Sequence, residues 1–247
     1  MHKNVAVSKL DANPFRRLES YPIDRDKVDA LKDSYRETTY WGNILCREVS
    51  GRFQIAYGHH RLVALKECKE TKVDVIVRSL SDEDMIRIMA RENMEEWGSN
   101  ASIETETLRA TLDAFAEGRI SLGKVPRDCP KSKILYAPLV SNVGSQNENE
   151  PQRQYTKHML AKFLGWTKSD GKERALKPNF AFQTAFRALE LIEQGYIEPK
   201  HIQGKKRKEA AVILSEASHA HRVTENAASP NTPAPTQQAC RSRNAHF

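Results

Sequence analysis

The apolar positions of the first 116 residues switch between two periods, as they do in a small mixed domain. After the turn signal Asn13-Pro14, the run Asp24-Arg25-Asp26-Lys27 opens a helix whose Val28, Leu31 and Tyr35 share one face. Alternation then marks two short strands, Ile44 to Val49 and Phe53 to Tyr57, joined as a hairpin at Ser50-Gly51. A helix follows Gly58 and runs to about Lys69, and the β-branched run Val73 to Leu80 reads as a further strand. Ser81-Asp82-Glu83-Asp84 is a capping-box start for a helix that carries Met85, Ile86 and Met89 inward and ends on Arg91-Glu92-Asn93.

Residues 117–150 lose this periodicity, being rich in Gly, Pro, Ser and Asn around one apolar run, Ile134 to Val140, and read as a linker or flexible insertion. Helical spacing resumes from Tyr155 to Gly165 and again from Phe180 to Gln194, where Phe182, Ala185, Phe186, Leu189 and Ile192 form a broad apolar face that stops at Gly195. That spacing places Phe182 and Phe186 in a core rather than on a stacking surface. A third helix spans about Lys205 to Ala217, and the Pro, Ala, Asn and Thr composition beyond residue 223 predicts disorder. The expected organisation is therefore an N-terminal α/β domain (1–116), a linker (117–150), a helical domain (151–222) and a tail (223–247).

Charge adds a partner to this plan. The 247 residues carry a net charge of +7. Residues 1–100 hold 17 basic and 17 acidic side chains, whereas 151–222 hold 14 basic and 7 acidic. A basic surplus confined to one helical region is the electrostatic footprint of a nucleic-acid contact, although a solvated basic face carries the same signature. The candidate DNA contacts are Lys168, Lys172, Arg174 and Lys177, in the long segment between two predicted helices, and the cluster Lys205, Lys206, Arg207 and Lys208. About thirteen residues separate Trp166 from Phe180, far more than the three or four of a tight helix-turn-helix. Either that segment forms a wing or the recognition element lies elsewhere. The four cysteines are scattered without a C-x-x-C pair, which argues against zinc and against a disulfide scaffold. With no long apolar run and no signal-like N-terminus, a soluble cytoplasmic protein without a membrane partner is expected.

The candidate chemistry centres on Ala56-Tyr57-Gly58-His59-His60-Arg61-Leu62-Val63-Ala64, a strand that passes through one glycine into a helix. A helix N-terminus behind a glycine presents unpaired N–H groups and a positive dipole end to an anion. Arg61, and His59 or His60 if protonated, would add charge-assisted donors. The same junction also serves simply to change direction, and Glu92-Asn93 also reads as a polar helix end.

Asn13-Pro14-Phe15-Arg16-Arg17, the strand pair, Gly58-His59-His60-Arg61-Leu62-Val63-Ala64 and Glu92-Asn93, in that order, resemble the N-terminal domain of ParB-type chromosome and plasmid partition proteins, which shares its fold with sulfiredoxin. The likeness covers about residues 5–115. More loosely, Leu160 to Gly165 and Ala188 to Ile202 are similar to the helix-turn-helix region that follows in that family. The resemblance implies an α+β fold, a small ParB/sulfiredoxin-like mixed domain followed by an all-α helix-turn-helix-like domain. It also implies a nucleoside-triphosphate site for CTP or another NTP with Mg2+. Gly58, His59, His60 and Arg61 would hold phosphates, with Arg16 and Arg17 reaching in from the N-terminal loop or remaining surface charge. Glu92 and Asn93 would sit by the triphosphate and its metal, Glu92 being the candidate catalytic residue of a slow NTPase. DNA and a second copy of the chain, as a homodimer, are the implied partners, at a nucleoid-associated site in the cell or on a plasmid or mobile element.

The departures from the family pattern are specific. Partition proteins carry two arginines after an acidic residue where this chain has His59, His60 and Arg61, so one permanent charge is replaced by histidine, making phosphate binding weaker and pH-sensitive. Met94, Glu95 and Glu96 follow Glu92-Asn93 where the family has a glutamine and an arginine. Sulfiredoxin chemistry is excluded, because its nucleophilic cysteine is replaced by His59. Two alternatives to a nucleotide-sensing DNA-binding protein stay open: an enzyme on the same fold (a metal-dependent nuclease or an ATP-using phosphotransferase), and a DNA-binding adaptor with a decayed nucleotide pocket.

Overall fold

Five strands form the N-terminal sheet: β1 (His2–Ala6), β2 (Leu10–Asp11), and then, beyond helix α1 (Arg25–Thr38), β3 (Leu45–Val49), β4 (Arg52–Tyr57) and, after helix α2 (His59–Glu67), β5 (Lys72–Val77). This computed structural model describes residues 1–17, 23–38, 44–96, 100–137, 153–169 and 176–228, with backbone alone at 93–96, 169, 176 and 221–228. The strand order is β1-β5-β3-β4-β2. β3 and β4 pair antiparallel through the hairpin, where Ser50 (φ 51°) and Gly51 (φ 75°) both lie in the left-handed region that a two-residue turn requires. β3 meets β5 and β2 meets β4 in parallel, while β1 runs antiparallel to β5 with Val5 opposite Val73. Val28, Ile44, Cys46, Ile55, Leu65 and Val75 fill the core under α1 and α2.

Helix α3 (Asp82–Glu96) starts at the expected capping box. Ser81 Oγ accepts from Asp84 N–H at 3.1 Å, and Asp84 Oδ2 accepts from Ser81 N–H at 2.9 Å. Helix α4 (Ala101–Ala116) is capped by Asn100, whose Oδ1 accepts from the Ser102 and Ile103 N–H groups, and it is buried on nearly every side. Although the sequence reading counts it with the N-terminal domain, α4 packs chiefly against α6 (Phe180–Glu193) and also against α3. Residues 117–137, read as linker, carry Ile120 and Ala137 into the core and pair β6 (Leu135–Ala137) with β7 (Arg153–Tyr155). One apolar cluster then runs from Phe15 and Met85 of the N-terminal part to Leu108, Tyr155, Trp166 and Phe186.

Helix α5 (Lys157–Leu164) is capped by Thr156 and ended by Gly165 at φ 72°. The long segment after it folds into a hairpin, β8 (Thr167–Ser169) against β9 (Leu176–Pro178), closed where Asn179 N–H donates to the Trp166 carbonyl at 3.0 Å. Helix α6 follows with its expected bounds, and Phe182 and Phe186 stack in the core with ring centroids 5.6 Å apart. Helix α7 (Arg207–Ala228) runs past residue 222, where the tail was expected to begin. The C-terminal part is thus helical apart from two small ribbons.

Candidate functional site

Helix α2 begins at Gly58, with φ at 104° and no side-chain cap. A Cβ there would meet only Ile44 at 3.6 Å and Arg61 Nη1 at 4.0 Å, so the backbone angle rather than crowding calls for glycine. The Gly58 N–H, an orphan donor at the helix start, is taken by Glu92 Oε1 at 3.2 Å. The other oxygen of that carboxylate accepts from Arg16 Nη2 at 2.8 Å, with the two side chains only 2% and 8% exposed. Gly58, Arg16 and Glu92, separated by up to 76 residues in the chain, therefore form one corner.

His59 and His60 point into the protein, each 3% exposed. His59 Nε2 accepts from the Asn13 N–H at 3.0 Å, and His60 Nε2 accepts from the Asp24 N–H at 3.2 Å. Burial first, then the Arg16 guanidinium and His60, push the His59 pKa well below the usual histidine value. His59 is therefore a neutral ring at physiological pH, correcting the expectation that it brings charge to a phosphate. A neutral imidazole has one acceptor nitrogen, so the Asn13 N–H at Nε2 and Arg16 Nη1, 2.9 Å from Nδ1, are alternative donors to the ring, which lies against the guanidinium in either tautomer. Arg61 is half-buried with its Nη1 over Gly58.

Asn13 is the residue that sequence reasoning undervalued. It marks a turn in the sequence, but in the fold its Nδ2 donates to the Ala56 and Met85 carbonyls, both at 3.3 Å, and its Oδ1 accepts from the Phe15 N–H. It thereby locks the Arg16 loop to β4 and α3. The adjacent Arg17 reaches Asp113 of α4 at 2.5 Å in an exposed pair. A crevice of only about 10 Å³ lies beside Arg16, Arg17 and Glu106, whereas small-ligand sites run to roughly 300–1,000 Å³. A triphosphate can meet the Gly58 N–H only by displacing the Glu92 carboxylate. Asn93 stands one residue on in α3, its side chain outside the described residues. Among the described residues no three His, Cys, Asp or Glu side chains cluster as a metal site. Glu92 alone fits magnesium only in the usual way, with a nucleotide supplying further oxygens.

The basic candidates divide. Lys168 and Lys177 are exposed and stand directly opposite each other across β8 and β9; Lys172 and Arg174 lie outside the described residues. Lys205, Lys206 and Lys208 are exposed. Arg207 instead turns inward, its Nε 2.7 Å and its Nη2 2.5 Å from Oε1 of Glu104, a fully buried carboxylate on α4. Burial raises the Glu104 pKa against the opposing pull of Arg207. The guanidinium thus ties α7 to α4, beside the backbone bond from Ala101 N–H to the Lys205 carbonyl at 3.1 Å.

Residues 2–94 match the ParB N-terminal domain family. A Rhizobium rhizogenes protein named replication protein B is 36% identical over 93 residues, 36% of this chain and 30% of that protein. A Coxiella burnetii protein named chromosome-partitioning protein ParB is 28% identical over 102 residues, 41% of this chain and 35% of that protein. The matched stretches thus span about a third of these curated relatives. Among solved structures, that of a Pnob8-like ParB-N domain aligns with 93% of this chain and 85% of that one, with a TM-score of 0.51 at 10% identity, a likeness of fold. No helix among the described residues is long and apolar enough to cross a membrane.

Proposed function

We propose, from the match of residues 2–94 to the ParB N-terminal domain family, that this chain is a DNA-binding protein of partition or regulatory type whose Gly58 corner takes a nucleoside triphosphate. The observation that carries the nucleotide half is the Glu92 carboxylate bridging the Gly58 N–H and Arg16. It is an internal anion seated where a helix N-terminus and a buried guanidinium converge, the two elements that stabilise phosphate. The Gly58 N–H and Arg16 would hold a phosphate oxygen in place of the carboxylate, with Arg61 beside them on α2, and Glu92 and Asn93 would supply oxygens to an accompanying magnesium ion. His59 and Asn13 hold Arg16 in place, and Arg17 carries the position of that loop to α4. CTP is the nucleotide that the partition-protein resemblance implies.

The DNA half rests on the hairpin. Like charges directly opposite on paired strands destabilise the ribbon, and Lys168 facing Lys177 is such a pair. Both ammonium groups are exposed, so a duplex backbone can reach them. Phosphate contacts of this kind position the protein and make affinity fall with salt, without reading a sequence.

Calorimetric titration of CTP and of ATP, each with magnesium, into wild type and Arg61→Ala tests the corner. Arg61→Ala is expected to weaken binding at least about ten-fold, the loss of a charge-assisted hydrogen bond. Failure of the wild type to bind either nucleotide at millimolar concentration removes the nucleotide half and leaves the adaptor reading.

A further inference from the structure

Helices α3 and α5 leave between them an open cleft of about 600 Å³, walled by Arg87, Ile88 and Arg91 on one side and by Lys162, Phe163 and Trp166 on the other. Among the described residues its lining has three cationic side chains and no carboxylate. Arg87 and Arg91 stand one turn apart on the same face of α3, an arrangement of like charges that weakens a helix unless an anion sits between them. Arg87 pairs with Glu83 at 3.7 Å with both side chains substantially exposed, a weak surface pair. The Arg87 guanidinium lies 4.5 Å from the Phe163 ring centroid, a seat that fixes its position and leaves its edge N–H donors for a ligand. Among the described residues, neither Arg91 nor Lys162 takes part in an ion pair.

The lining of the cleft reaches the start of the hairpin. Trp166, only 1% exposed and with its indole Nε1 buried without an acceptor among the described residues, is part of that lining, and β8 starts at the next residue. Cations from the N-terminal domain (Arg87, Arg91), from α5 (Lys162) and from the hairpin (Lys168, Lys177) therefore follow one another along connected elements. A compact anion meets one or two such groups. A strand of nucleic-acid backbone, with a phosphate at every step, meets them in turn.

We infer that the cleft between α3 and α5 is a second DNA-backbone contact, in which Arg87 and Arg91 of the ParB-like domain grip the phosphates of the same duplex that the hairpin lysines hold. The inference rests on the DNA-binding reading above. It makes the N-terminal domain a direct contributor to DNA affinity, and it places the duplex against the helix that carries Glu92 of the nucleotide corner, one residue from Arg91.

The test is the salt dependence of binding to a labelled duplex, measured by fluorescence anisotropy for the full chain. The variants are Arg87→Gln/Arg91→Gln/Lys162→Gln, Arg91→Gln alone, and Lys168→Gln/Lys177→Gln. Each lost phosphate contact removes about 0.9 from the slope of log K against log salt. The triple variant is expected to lose about 2 to 3 from that slope, and Arg91→Gln about 1. An unchanged slope in the triple variant, with a reduced one in the hairpin variant, overturns the cleft and leaves the DNA reading standing. No binding by wild type, or an unchanged slope in all variants, overturns both. Because Arg91 is exposed and unpaired among the described residues, Arg91→Gln keeps the test decisive if loss of the Arg87 seat on Phe163 loosens the triple variant.

Discussion

The Gly58 corner and the α3–α5–hairpin surface use the same side-chain chemistry to opposite ends. At the corner the charges of the N-terminal loop and the helix start are answered from within: Arg16 by Glu92, the helix N-terminus by the same carboxylate, and Arg17 by Asp113. On the surface, Lys168 faces Lys177, Arg87 stands one turn from Arg91, and no acid among the described residues lines the cleft. The corner is a closed electrostatic unit that a ligand must open by competition. The surface is open, and a polyanion lowers its energy directly. Nucleotide binding should therefore be a displacement with a threshold, and DNA binding a graded, salt-dependent attraction.

The most damaging way to probe this contrast is Arg16→Ala. Removing one partner of a buried ion pair leaves the other uncompensated, so unfolding by denaturant should show a loss of about 3–5 kcal/mol. Glu92→Gln should cost less, because an amide oxygen still accepts from Gly58 or Arg16. Equal and small losses would mean that the corner is not closed. Gly58→Ala should follow at about 1–2 kcal/mol, the cost of a left-handed backbone with a Cβ, since no clash accompanies it.

Glu104 sharpens the comparison through pH. Its native pKa is raised above the ordinary 4.5, so its contribution to stability is greatest below that value and is lost as pH rises through the raised native one. Thermal melts of wild type from pH 4 to 8 should show this decline, and Glu104→Gln should lack it. On the open surface the expected stability effect reverses sign: Lys168→Gln should slightly raise the melting temperature while weakening DNA binding. The smallest effect is at Cys46, fully buried on β3 with its pKa pushed up to about 11. In the native protein it should alkylate far more slowly than the half-buried Cys68 and Cys129. Equal rates at all three would show the N-terminal sheet to open readily.

Features governed by neighbouring residues were legible in the sequence. Ser50-Gly51 announces its hairpin, the Ser81 to Asp84 box starts α3, and the apolar face of α6 sets both its ends, because each depends on contacts within a few residues. β1 and β2 escaped notice because they are short and their partners lie about 40 to 75 residues away, so nothing local marks them as strands. Helix α4 is buried almost all round, with Glu104, Thr105, Thr107 and Thr111 inside as well as its apolar residues, so its polar positions do not mark the exposed face that periodicity looks for. The hairpin at 167–178 could be stated only as one of two options until its register was known.

The longer helices and the β3–β4 pair, the basic surplus of the C-terminal third and the motif order around Gly58 follow from the sequence alone, since composition and local pattern suffice for them. Which charges are spent and which remain exposed was decided only by the tertiary structure. Arg207 and Lys208 are neighbours in the chain, yet one is anchored to a buried glutamate while the other faces solvent. His59 reads as a phosphate donor in its motif and becomes a neutral brace once buried. The reason is that electrostatic energy depends on separation in space and on solvent exposure, neither of which is written in the order of residues.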